Sequence, residues 1–387
     1  YHEQEAYLGN AAFREVAFIP YPHNPQFDLD LHRPYIDEIT WGDPIEGQWK
    51  RIPDVFDCWF ESGSMPYASN HYPFANKHTF NPKRMLGLAP KGYPADFIAE
   101  SVDQTRGWFY SMLVLGTALF GRSPYKHVIT NGLVLAQDGK KMSKKLKNYT
   151  DPSLIADSFG ADALRYYLLS SPLIRGEDLN FTDRGVDEIA KKLIMRLENV
   201  RTFFALYNND TPVWDGLLPQ GGTEKVRYVR SPLDIWILSR LQEVIAEVTA
   251  GFEVYELDVA ARPIAGFIDD LSTWYLRRCR DRFKGELDVD GTVVRATLRL
   301  VLRDLSRVMA PMMPFYADYL YRYVREENDP ESVHLASWPL GGEINTPLIE
   351  HMKVVREIVS EGLDARAKAN IKVRQPLSRI TISGRVL

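Results

Sequence analysis

The sequence predicts an α/β region that is followed by an all-α region. Up to about Tyr125 it is rich in Pro, Gly, Tyr and Trp, and short apolar runs alternate with turn residues, which is typical of mixed α/β structure. Beyond Asp151 the apolar residues recur at spacings of three and four, as in amphipathic helices. The 387 residues are enough for two or three domains with a large buried core.

The composition is that of a globular protein with little net charge. Hydrophobic residues make up 45% of the chain and charged residues 25%, which argues against a disordered, collagen-like or coiled-coil protein. Lys and Arg total 47 against 51 Asp and Glu, so any contact with a polyanion must come from local basic patches. The longest apolar run, near residues 109–120, is shorter than the ~20 residues that span a bilayer, and no membrane span is predicted.

Cysteine usage indicates the compartment. Cys58 and Cys279 are too few and too far apart for a disulfide framework or a zinc site. We therefore expect no protein-bound metal and a reducing compartment, the cytoplasm.

In the α/β region the clearest elements surround a basic loop. Residues His127–Leu135 predict a buried strand, a turn at Asn131-Gly132 and a second short strand. Asp138-Gly139 predicts a further turn, and the basic loop follows at once. Asp151 and Pro152 then predict the N-cap and first residue of a helix.

Three apolar stripes predict a helical bundle in the second half. They comprise Ile189, Leu193, Leu197, Val200 and Phe204; Ile235, Leu238, Leu241, Ile245 and Val248; and Leu298, Val301, Leu305 and Val308. A further helix is predicted near 349–369, and the alternating residues 379–387 predict a strand that stops without a partner. We place domain boundaries near residues 52, 185 and 345.

A lysine-rich loop between a strand and a helix is the most distinctive feature. Its lysines are Lys140, Lys141, Lys144, Lys145 and Lys147. Such a cluster beside Gly139 suits a polyphosphate, because cations stabilise charge that develops on transferring and leaving oxygens. The alternative is a solvated, Lys-rich turn.

The order Lys141-Met142-Ser143-Lys144 resembles the KMSKS loop of class I aminoacyl-tRNA synthetases, although Lys145 replaces the final Ser. The resemblance implies a catalytic loop that includes Lys141 and Ser143 and closes over ATP. It also implies that Lys144 binds ATP and stabilises the transition state in which pyrophosphate leaves the α-phosphate.

A second polar cluster lies upstream, in Glu100–Phe109. Glu100, Asp103 and Gln104 would share a face if the spacing is helical, and such groups bind an ammonium and a ribose. The alternative is the acidic first turn of a helix, which the helix dipole favours. The stretch resembles Glu-x-x-Asp-Gln-x-Arg-Gly-Trp-Phe of isoleucyl-tRNA synthetases. This implies that Glu100 binds the aminoacyl adenylate and that Asp103 and Gln104 orient the amino acid.

Two tryptophans, Trp59 and Trp108, could form an apolar slot for a branched amino-acid side chain. The alternative is that both lie in the core. Residues Asp54–Pro66 resemble the segment that returns from the editing insertion to the catalytic sheet in this family. Leu31–Asp37 resembles the end of that insertion.

Basic and aromatic residues also cluster in the helical half. They are Trp274, Tyr275, Arg277, Arg278, Arg280 and Arg282. Arginines bind phosphates and aromatic rings stack on unpaired bases, so the cluster suits RNA. In the alternative, the arginines face solvent or pair with Asp269, Asp270 and Asp281. The passage resembles the anticodon-binding helical domain of isoleucyl, valyl and leucyl enzymes, which implies that Arg277, Arg278 and Arg280 bind tRNA.

The eight histidines lack the spacing of a His-x-Gly-His motif, because no two of them are three residues apart. Class I synthetases use this motif, in the first half of the catalytic domain, to hold the phosphates of ATP. We therefore expect the chain to be an internal part of a longer enzyme, with that half and most of the editing domain before Tyr1. The chain by itself is expected to be inactive in adenylation.

The resemblance implies a domain order that covers most of the chain. Residues 1–52 would be the end of the editing insertion and the return segment, and 53–185 the second half of a Rossmann-like catalytic domain with the KMSKS-type loop and a stem-contact region. Residues 186–345 would be the α-helical anticodon-binding domain, and 346–387 the start of a C-terminal junction. Ala365–Leu377 resembles the junction found in isoleucyl enzymes.

The implied reaction joins isoleucine to tRNA(Ile) through an isoleucyl adenylate, with ATP and Mg²⁺ as the nucleotide substrate. The whole enzyme is expected to be a monomer without a membrane partner. Two alternatives remain open, a valyl-tRNA synthetase and a non-catalytic tRNA-binding protein. The sequences Cys58–Gly63 and Ile371–Pro376 favour isoleucine over valine.

Overall fold

The structure, a computed structural model, describes residues 21–42, 47–54, 58–82, 91–143, 145–146, 148–207, 231–284 and 289–382. The chain forms two compact units. The first contains Tyr1–Pro94 and Thr105–Pro124, and the second contains Ala95–Gln104 and Tyr125–Leu387.

The first unit combines a small ribbon with three helices. Strands β1 (Thr40–Trp41) and β2 (Trp49–Lys50) pair antiparallel. Helices α1 (Cys58–Gly63) and α2 (Met65–Ala68) precede α3 (Trp108–Phe120), and α1 packs against α3. Gly63 permits this approach, since a Cβ there would lie 3.0 Å from the Leu115 side chain.

Aromatic packing forms the core of this unit. Phe80, Tyr93 and Phe109 are buried, and the rings of Tyr93 and Phe120 lie 5.2 Å apart. Burial raises the pKa of Tyr93 to about 12. The helix α3 approaches Tyr93 closely at Gly116, where a Cβ would lie 2.6 Å from the phenol oxygen.

The second unit begins with two parallel strand pairs. Strand β3 (Ala95–Ser101) pairs with β4 (Tyr125–Asn131), and the 3₁₀ turn Val102–Arg106 follows β3. Strand β5 (Val134–Leu135) pairs with β6 (Leu179–Asn180). The predicted second short strand is thus confirmed as β5, which pairs with β6 and does not fold back onto β4. The prediction that the first strand is buried is wrong: Val128 is 41% exposed, because β4 pairs only with β3 in the described part of the chain.

The rest of the second unit is helical, as predicted. The helices are α4 (Pro152–Phe159), α5 (Ala161–Leu169), α6 (Asp183–Ile189), α7 (Met195–Ala205), α8 (Pro232–Glu253), α9 (Leu257–Asp269), α10 (Leu276–Lys284), α11 (Val289–Met309), α12 (Pro314–Val324) and α13 (Thr346–Lys368). Single π-helical turns, Ala190–Ile194 and Asp270–Tyr275, join α6 to α7 and α9 to α10. The predicted cap of α4 is confirmed, since the Asp151 carboxylate accepts a hydrogen bond from the Ser153 amide at 2.9 Å.

Two of the three predicted stripes form the bundle core. The stripe on α11 is buried at every predicted position, from Leu298 to Val308. The stripe that ends on α7 is buried from Leu193 to Phe204, and only its first residue, Ile189, is half-buried. The stripe on α8 is wrong in part, because Ile235 is 36% exposed whereas its neighbour Trp236 is buried. Helix α8 packs against α9, α11 and α13, so its apolar surface is wider than one stripe.

Helix α5 is tied to the bundle by polar contacts. The Tyr166 hydroxyl donates to the Ala261 carbonyl at 2.7 Å, and the Arg165 guanidinium donates to the Met312 carbonyl at 3.2 Å. These bonds join α5 to α9 and to the segment that precedes α12.

The C-terminal segment departs from the prediction. Residues 379–382 form no strand, and residues 383–387 lie outside the described part of the chain. A strand needs a neighbour for its backbone N–H and C=O groups, and none of the described strands lies beside this segment. Among the described residues, no helix is both long and apolar enough to cross a membrane.

Candidate functional site

The carboxyl ends of two parallel strands place the first group of predicted site residues. Ser101 at the end of β3 lies opposite Asn131 at the end of β4, and Glu100 lies opposite Thr130. Open α/β sheets bind ligands outside the carboxyl ends of their strands. Glu100 and Asp103 are exposed at this edge, and Gln104 is half-buried.

The expectation that these three residues share a helical face is wrong. Glu100 belongs to β3, and Asp103 and Gln104 belong to the 3₁₀ turn that follows. Pairing with β4 extends to Ser101, so Glu100 is part of the sheet and cannot also belong to a helix. The structure still places the three residues within five positions of one another, at the end of β3 and in the turn that follows it.

The lysine loop starts from a tight turn. Leu135 and Lys141 form an antiparallel bridge, and the Ala136 amide donates to the Lys140 carbonyl at 2.8 Å. Gly139 occupies the turn at φ +77°, a conformation that glycine adopts without strain. The Asp138 carboxylate accepts from the Lys140 amide at 3.1 Å, and this bond lowers the pKa of Asp138. The predicted Asp138-Gly139 turn is therefore confirmed.

The carboxamide of Asn148 closes the other side of the loop. Its Oδ1 accepts from the Ser143 amide at 2.9 Å, and its Nδ2 donates to the Lys141 carbonyl at 3.1 Å. The side chains of Lys141 and Lys145 are exposed, and Ser143 is half-buried. Lys144 and Lys147 lie outside the described residues.

Two hydrogen bonds to distant residues hold the segment just before strand β5, which leads into the loop. The Gly132 amide donates to the Leu173 carbonyl at 2.9 Å, and the Leu133 amide donates to the Asp178 carboxylate at 2.9 Å. A Cβ at position 132 would lie 2.1 Å from the Glu177 carbonyl oxygen. The close approach of these backbones fixes where the loop begins.

The two candidate tryptophans lie on contacting helices of the first unit. The Trp108 indole N–H, at the start of α3, donates to the Ser62 carbonyl of α1 at 2.9 Å. Trp59 on α1 is 42% exposed and Trp108 is half-buried. The alternative that both are core residues is therefore wrong, because α1 is a short helix at the surface of its unit.

Three arginines of the predicted RNA-binding cluster face solvent. Arg277, Arg278 and Arg280 on α10 are exposed. Arg282 instead donates to the Asp234 carboxylate at 2.7 Å, and the hydroxyl of the buried Tyr275 donates to the same carboxylate at 2.8 Å. Arg282 and Tyr275 thus stabilise the bundle, whereas the other three arginines are available for a ligand.

The alternative for the α10 arginines is confirmed in one part, because Arg277, Arg278 and Arg280 face solvent, and wrong in the other, the pairing with nearby aspartates. Asp269 and Asp270 bond to Arg196, Arg240 and Arg356. Asp281 lies 3.6 Å from Lys284. These partners come from α7, α8 and α13, which pack around the π-helical turn.

An open groove of about 820 Å³ runs beside α10, between α8 and α13. The Arg278 guanidinium lies 4.8 Å from the centre of the Trp274 ring, and that of Arg356 lies 5.6 Å from it. Arg277 and Lys353 line the same groove. Carboxylates of Glu243, Asp270, Glu350 and Glu357 line it too, and Asp270 pairs with Arg356, so the groove combines an indole surface with charges of both signs.

Sequence reasoning missed Asn148 and Asp178, which bond to backbone groups of the lysine loop and of the segment before it. A signal for Asn148 was present, because Asn side chains commonly bond nearby backbone atoms and this one lies seven residues after Lys141. Asp178 gave no such signal, since its partner Leu133 is 45 residues away. Among the described residues, no three His, Cys, Asp or Glu side chains group closely enough to hold a metal ion.

The sequence matches two protein families. Residues 24–181 match the family described as tRNA synthetases class I (I, L, M and V). Residues 234–382 match the anticodon-binding domain of tRNA ligases. The first match contains the lysine loop, and the second contains most of α8 and the helices from α9 to α13.

Curated relatives include isoleucine–tRNA ligases of bacteria. The enzyme from Treponema denticola is 42% identical over 372 residues, which cover 92% of this chain and 32% of the relative. That from Chlamydia caviae is 44% identical over 365 residues, which cover 92% of this chain and 33% of the relative. The chain therefore spans about a third of the length of these relatives.

Solved structures share the fold. A leucyl-tRNA synthetase of Agrobacterium radiobacter K84, in a ternary complex with tRNA and LeuAMS, aligns with a TM-score of 0.52 and 21% identity over 80% of this chain and 36% of that one. A methionyl-tRNA synthetase of Mycobacterium tuberculosis, in complex with methionyl-adenylate, aligns with a TM-score of 0.51 and 20% identity over 73% of this chain and 52% of that one. The fold is that of a class I synthetase catalytic domain followed by an anticodon-binding helical domain.

Proposed function

Since this chain belongs to the class I aminoacyl-tRNA synthetases, we propose that it carries part of the active site and the anticodon-binding helices of an isoleucine–tRNA ligase. The observation that carries the proposal is the lysine loop, which follows strand β5 of the parallel pair β5 and β6 in a chain that is 42% identical over 372 residues to an isoleucine–tRNA ligase. The whole reaction is a proposal, because the chain spans 32% of that relative.

The first step activates isoleucine. A carboxylate oxygen of isoleucine attacks the α-phosphorus of ATP·Mg²⁺, the bond to the bridging oxygen breaks, and pyrophosphate leaves. Negative charge develops on the departing oxygens, and ammonium groups stabilise it. We assign this role to Lys144, with Lys141 and Ser143 beside it in the loop. The exposure of Lys141 supports its own part in this role, because an exposed side chain is accessible to a ligand.

The strand end supplies groups that suit the other parts of the adenylate. We propose that Glu100 accepts hydrogen bonds from the adenylate and that Asp103 and Gln104 orient the ammonium of isoleucine. The exposed carboxylates of Glu100 and Asp103, at the carboxyl edge of β3, support these roles. For Trp59 and Trp108 we propose contact with the branched side chain, which indole rings pack against well.

The second step transfers isoleucine to tRNA. The terminal ribose hydroxyl of tRNA(Ile) attacks the adenylate carbonyl, and AMP leaves. We propose that Arg277, Arg278 and Arg280 bind this tRNA, which their exposure on α10 supports. The free thiols of Cys58 and Cys279 support a reducing, cytoplasmic setting.

ATP–pyrophosphate exchange tests the proposal. We would measure it for a chimaera in which this chain replaces the matching third of the Treponema denticola enzyme, and for the chain alone. The chimaera should exchange with isoleucine about 10- to 200-fold faster than with valine, because an apolar pocket gains about 1–3 kcal/mol from one methylene. The chain alone should not exchange. Valine-dependent exchange would favour the valyl alternative, and an inactive chimaera that still binds tRNA would favour a non-catalytic protein.

A further inference from the structure

Two kinds of contact hold the lysine loop, one made by the backbone and one made by a side chain. On one side the backbone itself closes the turn, through the bridge between Leu135 and Lys141. On the other side a single side chain, that of Asn148, makes two hydrogen bonds to backbone groups of Lys141 and Ser143. These two residues flank Met142 in the lysine motif.

A loop with this charge needs such a restraint. Lys140 pairs with Asp138 at 3.3 Å, and repulsion between the like charges of Lys141 and Lys145 favours an extended loop. A carboxamide opposes this effect without changing the charge, because it offers an acceptor to one backbone group and a donor to the other. The two bonds are 2.9 and 3.1 Å long, which is the ordinary range, so both restrain the loop.

We propose that Asn148 is a positioning residue, whose carboxamide holds Lys141 and Ser143 in the conformation that binds the polyphosphate. This inference rests on the proposed function for its catalytic consequence. With its carbonyl and the Ser143 amide both bonded to Asn148, Lys141 has a restrained backbone and an exposed side chain. The loop then loses less conformational freedom when the phosphates bind.

Tryptic cleavage of the chain tests the restraint without any assay of activity. The Lys141–Met142 bond lies inside the restrained segment, and its cleavage rate reports how often the loop opens. Asn148→Ala should raise that rate about fivefold or more. Asn148→Asp should also raise it, because a carboxylate keeps the acceptor but repels the Lys141 carbonyl.

Asn70→Ala, which removes a bond to the Pro66 carbonyl in the first unit, serves as the matched control. The melting temperatures should stay within ~2 °C of one another.

The same variants in the chimaera test the catalytic consequence. Asn148→Ala should lower kcat of isoleucine-dependent exchange about tenfold and leave KM for isoleucine within about twofold, since the loop acts on the departing pyrophosphate. An unchanged rate of cleavage at Lys141 would overturn the proposal, as would an equal change in kcat and KM for isoleucine. If the unsubstituted chimaera is inactive, the proposed function fails, and cleavage at Lys141 alone decides whether Asn148 holds the loop.

Discussion

The Asp162 carboxylate on α5 accepts a hydrogen bond from the Tyr316 amide, in the first turn of α12, at 2.5 Å. It also accepts from the Phe315 amide at 3.4 Å. Met313, at the N-cap position of α12, makes no side-chain capping bond. A residue 154 positions away in sequence thus caps this helix.

Removal of this cap should destabilise the chain. Asp162→Ala leaves the Phe315 and Tyr316 amides without this acceptor, and we expect the free energy of unfolding to fall by about 1–2 kcal/mol. Asp162→Asn keeps an acceptor oxygen and should lose less. Urea denaturation measures the change, with Asp281→Ala as control, because the Asp281 side chain is 97% exposed. An equal loss in the control would contradict the cap.

Two glycines should respond to alanine in opposite directions. At position 132 a Cβ would lie 2.1 Å from the Glu177 carbonyl oxygen, so Gly132→Ala should lower the free energy of unfolding by about 1–3 kcal/mol. At Gly266, within α9, no atom other than those of the adjacent residues and the helix's own backbone lies within 4 Å of the added Cβ. Gly266→Ala should therefore stabilise the chain by about 0.5–1 kcal/mol through helix propensity. Thermal unfolding of both variants measures these changes. A Gly132→Ala variant with unchanged stability would contradict the expected clash and show that β5 can move away from Glu177.

The Glu198–Arg201 pair should make stability depend on pH. The hydrogen bonds from Arg201, one of them 2.6 Å, lower the pKa of Glu198 below its usual 4.5, and the Tyr316 hydroxyl also donates to it. A carboxyl group with a lowered pKa stabilises the fold above pH 4.5, and this contribution is lost as pH falls through the pKa of the folded state. Glu198→Gln should thus melt at a lower temperature than the unsubstituted chain at pH 7, and the difference should shrink towards pH 3. A constant difference would mean that charge plays no part.

The exposed arginines of α10 should govern affinity for tRNA. The double variant Arg277→Ala, Arg278→Ala should weaken binding of a tRNA(Ile) transcript by about tenfold and reduce the dependence of log K on log[salt] by about 1–2. Arg184→Ala is the matched control, since that side chain on α6 is 87% exposed and pairs with Glu188. Fluorescence anisotropy at two salt concentrations provides the measurement. Equal losses in both variants would indicate a non-specific effect of charge.

Local patterns in the sequence predict the helices and the turns around the lysine loop. The stripe from Leu298 to Val308 is buried at each position, because spacing alone decides which face of a long amphipathic helix meets the core. Asp151 caps α4 as expected, because a cap needs only its own neighbours.

Contacts between distant residues could not be predicted in this way. Asp162 caps a helix from another part of the chain, and Asp270 pairs with Arg240 and Arg356 from α8 and α13. Glu100 pairs with Thr130 of β4, 30 residues further along, so local spacing does not place it in a strand. In each case the partner is set by tertiary packing, which sequence spacing does not encode.

The central claim is that the lysine loop stabilises the departing pyrophosphate during isoleucine activation. Lys144→Ala in the chimaera tests it most directly, by ATP–pyrophosphate exchange over a range of isoleucine concentrations. We predict that kcat falls by about 100-fold or more while KM for isoleucine stays within about twofold, as expected for a contact made mainly in the transition state. An unchanged kcat, or a loss that appears equally in KM for isoleucine, would contradict the claim.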